Sequence, residues 1–233
     1  MTPLHIFLGI IVFWTVLLII VHRFEKRLVW PYGELRADML FPDVHDYGAR
    51  RSREVQEAGF QFLGWAPDLK GPKYRASYGF AVSPEHDCLV IIGVGTIMNM
   101  KLTCTWIYSI AADGTALYSA DHQPGISIDV SRHWKTQLVP YALFWKLLER
   151  HRDALQQQVF TPRPLSSSNP LADFRQVRVE HFQFLARHGL IHFTDQESQR
   201  WHYTTSGAIR LALLNYTLGM VRGVTMGKIP RVA

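Results

Sequence analysis

From Ile6 to Val21 the chain carries nothing more polar than Thr15, and the run ends abruptly at His22-Arg23. With Thr2 to His5 the uncharged stretch reaches roughly 20 residues, enough at about 1.5 Å per residue to cross about 30 Å of hydrocarbon. The pattern therefore predicts a transmembrane helix over 1–22. A cleaved signal would carry basic residues before the run and small ones after it. Met1 to His5 contain no Lys or Arg, and the run exits through Leu17, Leu18, Ile19, Ile20 and Val21. Arg23, Lys26 and Arg27 then predict a positive inner flank, with the N-terminus out and the body cytoplasmic at an inner membrane. Trp30 and Tyr32 complete an expected membrane-interface set (Arg23, Lys26, Arg27, Trp30, Tyr32), inside a juxtamembrane collar and linker over 23–46.

Beyond the linker the period changes. A helix is expected from about Tyr47 to Leu63, ending at Gly64. Met98, Met100, Leu102, Cys104, Trp106 and Tyr108 alternate with Asn99, Lys101, Thr103, Thr105, Ile107 and Ser109, which predicts a strand with one face on a core and the other towards solvent. Asp113-Gly114 marks a hairpin leading into a strand over 115–120. Strands are also read at 76–82, 88–94 and 126–130, giving a four- to five-stranded antiparallel sheet. An amphipathic helix from Pro140 to Gln158 presents Tyr141, Phe144, Trp145, Leu148 and Leu155 to that sheet, closing an α+β domain over 47–160.

The segment 161–170, Thr-Pro-Arg-Pro-Leu-Ser-Ser-Ser-Asn-Pro, is a Pro/Ser linker. The C-terminal unit, 171–233, begins with a helix from Leu171 to His188 stopped by Gly189. Strands near 190–193 and 201–204 and a final apolar helix from Ser206 to Val221 follow. The expected fold class is thus α+β: one N-terminal transmembrane helix, a cytoplasmic sheet domain covered by helices, and a C-terminal helical unit with a β-hairpin.

Composition changes this picture little. Hydrophobic residues make up 48% of the chain, enough for a packed core. Two cysteines, Cys88 and Cys104, form no disulfide framework. The net charge of +6 is partly spent in the collar, and 201–233 holds Arg210, Arg222, Lys228 and Arg231 with no acidic residue.

No chemical motif stands out. His181, His188 and His192 would share a helical face, but Gly189 interrupts it. Glu85-His86-Asp87 falls in a turn. Gly93-Val-Gly95 has no third glycine and no following helix, so it marks a twist or bulge rather than a dinucleotide loop. Gly223-Val-Thr-Met-Gly227-Lys228 is one residue short of a phosphate loop and is followed by Ile229. No catalytic, metal or cofactor site is assigned.

The string FLARHGLIHFTDQESQRWHYTTSGAIRLAL, Phe184 to Leu213, resembles the end of a bacterial winged-helix domain. That resemblance implies a helix in the major groove and Gln196 to Arg200 as the wing, with Arg175, Arg178, Arg187 and Arg200 as nucleic-acid contacts. Acidic Asp173, Glu180, Asp195 and Glu197 dilute the positive surface. The leading expectation is a single-span accessory or scaffold subunit of an inner-membrane complex, with the lipid bilayer and other membrane proteins or a second copy as partners. A membrane-tethered winged-helix regulator is the alternative, and an enzyme of unrecognised class the third.

Overall fold

The computed structural model describes residues 3–37, 45–69, 75–97, 100–121, 134–139, 142–157, 160–195 and 199–210. The strand expected at 126–130, the tip of the wing at 196–198, the glycine-rich segment at 223–228 and most of the final apolar helix lie outside these residues. The chain divides into two compact units: Trp30–His181, and a smaller one made of Met1–Val29 and Phe182–Ala233.

The larger unit is built on a sheet of strands β2 (Gln61–Pro67), β3 (Arg75–Val82), β4 (Leu89–Ile97), β5 (Met100–Ile110), β6 (Ala116–Ala120) and β7 (Trp134–Leu138), in that spatial order. Strand β1 (Arg27–Leu28) belongs to the smaller unit. Neighbours from β2 to β6 are antiparallel, making the five-stranded antiparallel sheet, and β7 joins β6 in parallel. Nothing in the alternation of Trp134–Leu138 had marked β7, a short strand with polar Lys135, Thr136 and Gln137.

Helix α2 runs only over His45–Glu57, not to Leu63. The chain leaves it through Gly59, whose φ of +90° is open to glycine and strained for other residues. Residues expected in its last turns form β2 instead, with a register shift between Phe62 and Gly64.

The alternation along β5 is real, but its second face is not solvated. Tyr108 and Ile110 pack with Phe80, Leu89, Ile91, Tyr118 and Phe174. Ile107 packs on the other side with Val90, Ile92 and Phe144, and Thr105 and Ser109 are equally buried. The sheet therefore has a core on each face, one including α2 and α3 (Phe144–Gln157), the other including Trp30, Tyr32 and the first part of α4 (Pro170–Arg187). On α3 the inward stripe is Phe144, Leu147, Leu148, His151 and Ala154. Trp145, expected inward, is 62% exposed.

In the smaller unit, β8 (Ile191–Asp195) and β9 (Arg200–Tyr203) form a hairpin, and β1 pairs with the far side of β9, giving the order β1-β9-β8. Phe182, on the last turns of α4, stacks on Trp201. Residues 205–210 are helical, and Thr204 caps that helix by accepting from the Gly207 amide (3.1 Å).

The apolar N-terminal run folds as α1 (Pro3–Phe24), which packs against β9. The expected transmembrane span is corrected here: among the described residues, no helix is long and apolar enough to cross a membrane. The single-pass, N-out inner-membrane placement loses its basis with it.

Candidate functional site

Two of the residues expected at a membrane interface, Trp30 and Tyr32, pack against each other in the larger unit. Tyr32 is buried in the larger unit, its ring 4.8 Å from Tyr78, 5.2 Å from Phe80 and 4.9 Å from Trp30. Arg178 lies over Tyr32 and Phe174, and Arg175 over Trp30. Burial drives the Tyr32, Tyr78 and Tyr108 phenols above their ordinary range, so all are neutral hydrogen-bonding groups at physiological pH. Tyr78 donates to the Asp68 carboxylate (3.2 Å). In the smaller unit Arg27 pairs with Glu25 and lies over Trp201 and Tyr203.

The four arginines suggested as nucleic-acid contacts are divided between the two units. Arg175 and Arg178 belong to the larger unit and Arg187 and Arg200 to the smaller. The half-buried Arg178 is engaged with aromatic rings.

One cluster brings together the residue types of nucleophilic catalysis. His151 on α3 inserts between Ser109 on β5 and Ser119 on β6, with Nε2 3.0 Å from Ser109 Oγ and Nδ1 2.9 Å from Ser119 Oγ. Proton accounting fixes its state. Ser109 Oγ also contacts the Asp87 carbonyl (3.0 Å), which only accepts, so Ser109 donates there and accepts from His151 Nε2–H. Nδ1 is then bare and accepts from Ser119. The Gln137 amide, 3.1 Å from Ser119 Oγ, must turn its N–H₂ end towards that oxygen. Burial pushes His151 down to about 4, consistent with a neutral ring.

Every polar atom of this relay is engaged, and Ser109, Ser119 and His151 are each at most 1% exposed. A nucleophile needs a route to substrate, so the relay is a pin fastening α3 to the sheet. A histidine on the inward stripe of an amphipathic helix, facing serines on the polar period of neighbouring strands, was its sequence signal. Sequence reading missed it because the partners lie on other elements.

The other motifs resolve into structure. Ser83 donates to Asp87 (2.6 Å) and accepts from the Asp87 and Cys88 amides, which makes Glu85-His86-Asp87 a locked turn. At Gly93 a Cβ would stand 2.6 Å from Cys104 Sγ and 2.8 Å from the Trp106 ring, so this glycine makes room for cross-strand side chains. Burial raises the Cys88 thiol to about 12, leaving it unreactive. Of the three aligned histidines, His188 stacks on Phe184 and contacts its carbonyl (2.9 Å), and His192 lies on β8. His181, on α4, is held down to about 4 by burial and by Arg178.

Two surface features remain. Helix α1 exposes Val12, Phe13, Trp14, Val16, Leu17, Ile20, Val21 and Phe24. On the hairpin, His192 and His202 are register partners with ring centroids 5.4 Å apart. Desolvation holds His202 below its ordinary pKa, with Arg23, His192 and Lys26 adding to the effect.

No family model matches the chain, and no curated protein or solved structure matches it either.

Proposed function

We propose that the protein is a scaffold or accessory subunit that binds another protein chain, with α1 as the docking element. The observation that supports this reading is the row Phe13, Leu17, Ile20 and Phe24, spaced four, three and four residues apart and exposed throughout. That spacing places four large apolar side chains on one side of a helix, the arrangement by which helices seat in apolar grooves or pack on a second helix. Phe13 is 64% and Phe24 75% exposed. Contiguous exposed apolar surface of this kind marks an interaction site more often than a solvated face. A partner presenting a complementary apolar groove, or a second copy offering its own α1, would cover it.

The deciding experiment compares the native full-length chain with a Phe13→Asp/Leu17→Asp double variant, combining affinity purification and mass spectrometry with analytical ultracentrifugation. The expected result is a stoichiometric partner, or a self-associated state, that is present for the native chain and lost for the variant. Recovery of the native chain alone as a monomer would overturn the reading. A partner retained by the double variant would move the docking element away from α1.

A further inference from the structure

We propose that His192 and His202 form a two-imidazole site for a divalent transition metal of the zinc, copper or nickel type. The register of the β8–β9 hairpin sets the two residues directly opposite each other, so both rings leave the same face of the sheet. His192 is exposed and His202 half-buried, which leaves the face between them open to an ion.

The spacing fits metal ligation. Metal–nitrogen bonds are about 2.0–2.1 Å and an imidazole centroid lies roughly 1.1 Å behind its nitrogen, so two rings on one tetrahedral ion have centroids about 5 Å apart. The observed separation is 5.4 Å, with the ring planes inclined by 62°. An edge-to-face ring pair has the same spacing, so the facing register and the open position of the two imidazoles carry the proposal.

The scaffold holds these positions well. Strand β9 lies between β1 and β8, pairing with β8 through His202 and with β1 through Arg200 and Trp201 next to it. Among the described residues no group of three or more His, Cys, Asp or Glu could hold a metal. Two protein ligands therefore leave the remaining positions to solvent, and the ion exchanges. Arg23 and Lys26 are the charged groups that act on His202, and both weaken cation binding. The resulting site selects imidazole-seeking transition ions over calcium or magnesium, which take oxygen ligands.

The test uses the full-length chain and titrates it calorimetrically with zinc or nickel chloride, beside His192→Asn, His202→Asn and His188→Asn. The expected result is one saturable site in the native chain and in H188N, weakened at least tenfold by either H192N or H202N. Metal-free melting curves establish that the variants are folded. The copper-loaded native chain should give an electron paramagnetic resonance spectrum with two equivalent nitrogen couplings, a readout that needs no variant. No saturable binding, or binding unchanged in both hairpin variants, would overturn the proposal, as would a copper spectrum without paired nitrogens.

Discussion

Single residues set tolerances that the alternating pattern does not reveal. Gly93 was noticed in the sequence as half of a Gly-x-Gly pair, but its reason lies across the strand, where Trp106 and Cys104 fill the space above it. Gly93→Ala should destabilise the larger unit by about 1–3 kcal/mol through overpacking, measured as a shift in urea midpoint with unchanged slope.

His151 makes the second residue-scale prediction. Its pKa is about 4 in the folded protein against an ordinary 6.5. Between those values the unfolded chain binds the proton that the folded protein refuses, so stability falls as pH drops from about 6.5 to about 4. Above that window the residue contributes no pH dependence. The full loss is on the order of 3 kcal/mol. His181 titrates in the same range. His151→Asn should therefore remove about one proton from the pH dependence of unfolding, read as a shallower stability slope between pH 6.5 and 4. An unchanged slope would mean that the ring is not held neutral by burial.

At the scale of elements, an ion pair adds to the buried Val55 in tying α2 to the sheet. Arg51 is 7% exposed, donates to Asp121 (3.1 Å) and Glu54 (2.7 Å), and Asp121 also accepts from the Thr105 amide (2.7 Å). Removing either partner leaves the other charged, buried and short of a partner. Asp121→Ala and Arg51→Met should each cost about 3–5 kcal/mol, and the double variant less than their sum, because the second change removes the charge that the first one stranded. Chemical denaturation of the three variants measures that coupling.

Period and punctuation carried most of the elements. Strands β3 to β6, α3, α4 and the β8–β9 hairpin all fall close to where alternation, Asp113-Gly114 and Gly189 put them. The failures share a cause: local pattern does not state what lies opposite. Gln61 to Leu63 closed an apolar helical reading, whereas they begin β2, which pairs with β3 as an edge strand. The polar period of β5 looked solvated, yet Ser109 is met by His151 on a distant segment and Thr105 is buried, with its backbone amide on Asp121. The same limit hid the His192–His202 pair, visible only once the hairpin register is known.

At the scale of the whole molecule, the sequence order and the units disagree. A Pro/Ser linker at 161–170 suggested a boundary there, yet Leu165 belongs to the core of the larger unit, and its amide donates to the His86 carbonyl (2.6 Å). The smaller unit joins both ends of the chain, with Arg27 opposite Trp201 and Leu28 opposite Arg200. The larger unit is thus an insertion between two segments that complete each other's sheet. Its two core clusters contain only residues from Trp30 to His181. A fragment spanning 30–188, which keeps α4 whole, should therefore unfold cooperatively on its own. The segment 182–233 alone lacks β1 and α1, and its hairpin keeps only one paired edge, too little for independent stability. Circular dichroism of the two fragments checks this directly. A folded 182–233 fragment would show that the N-terminal segment is an accessory of the smaller unit and not part of its foundation.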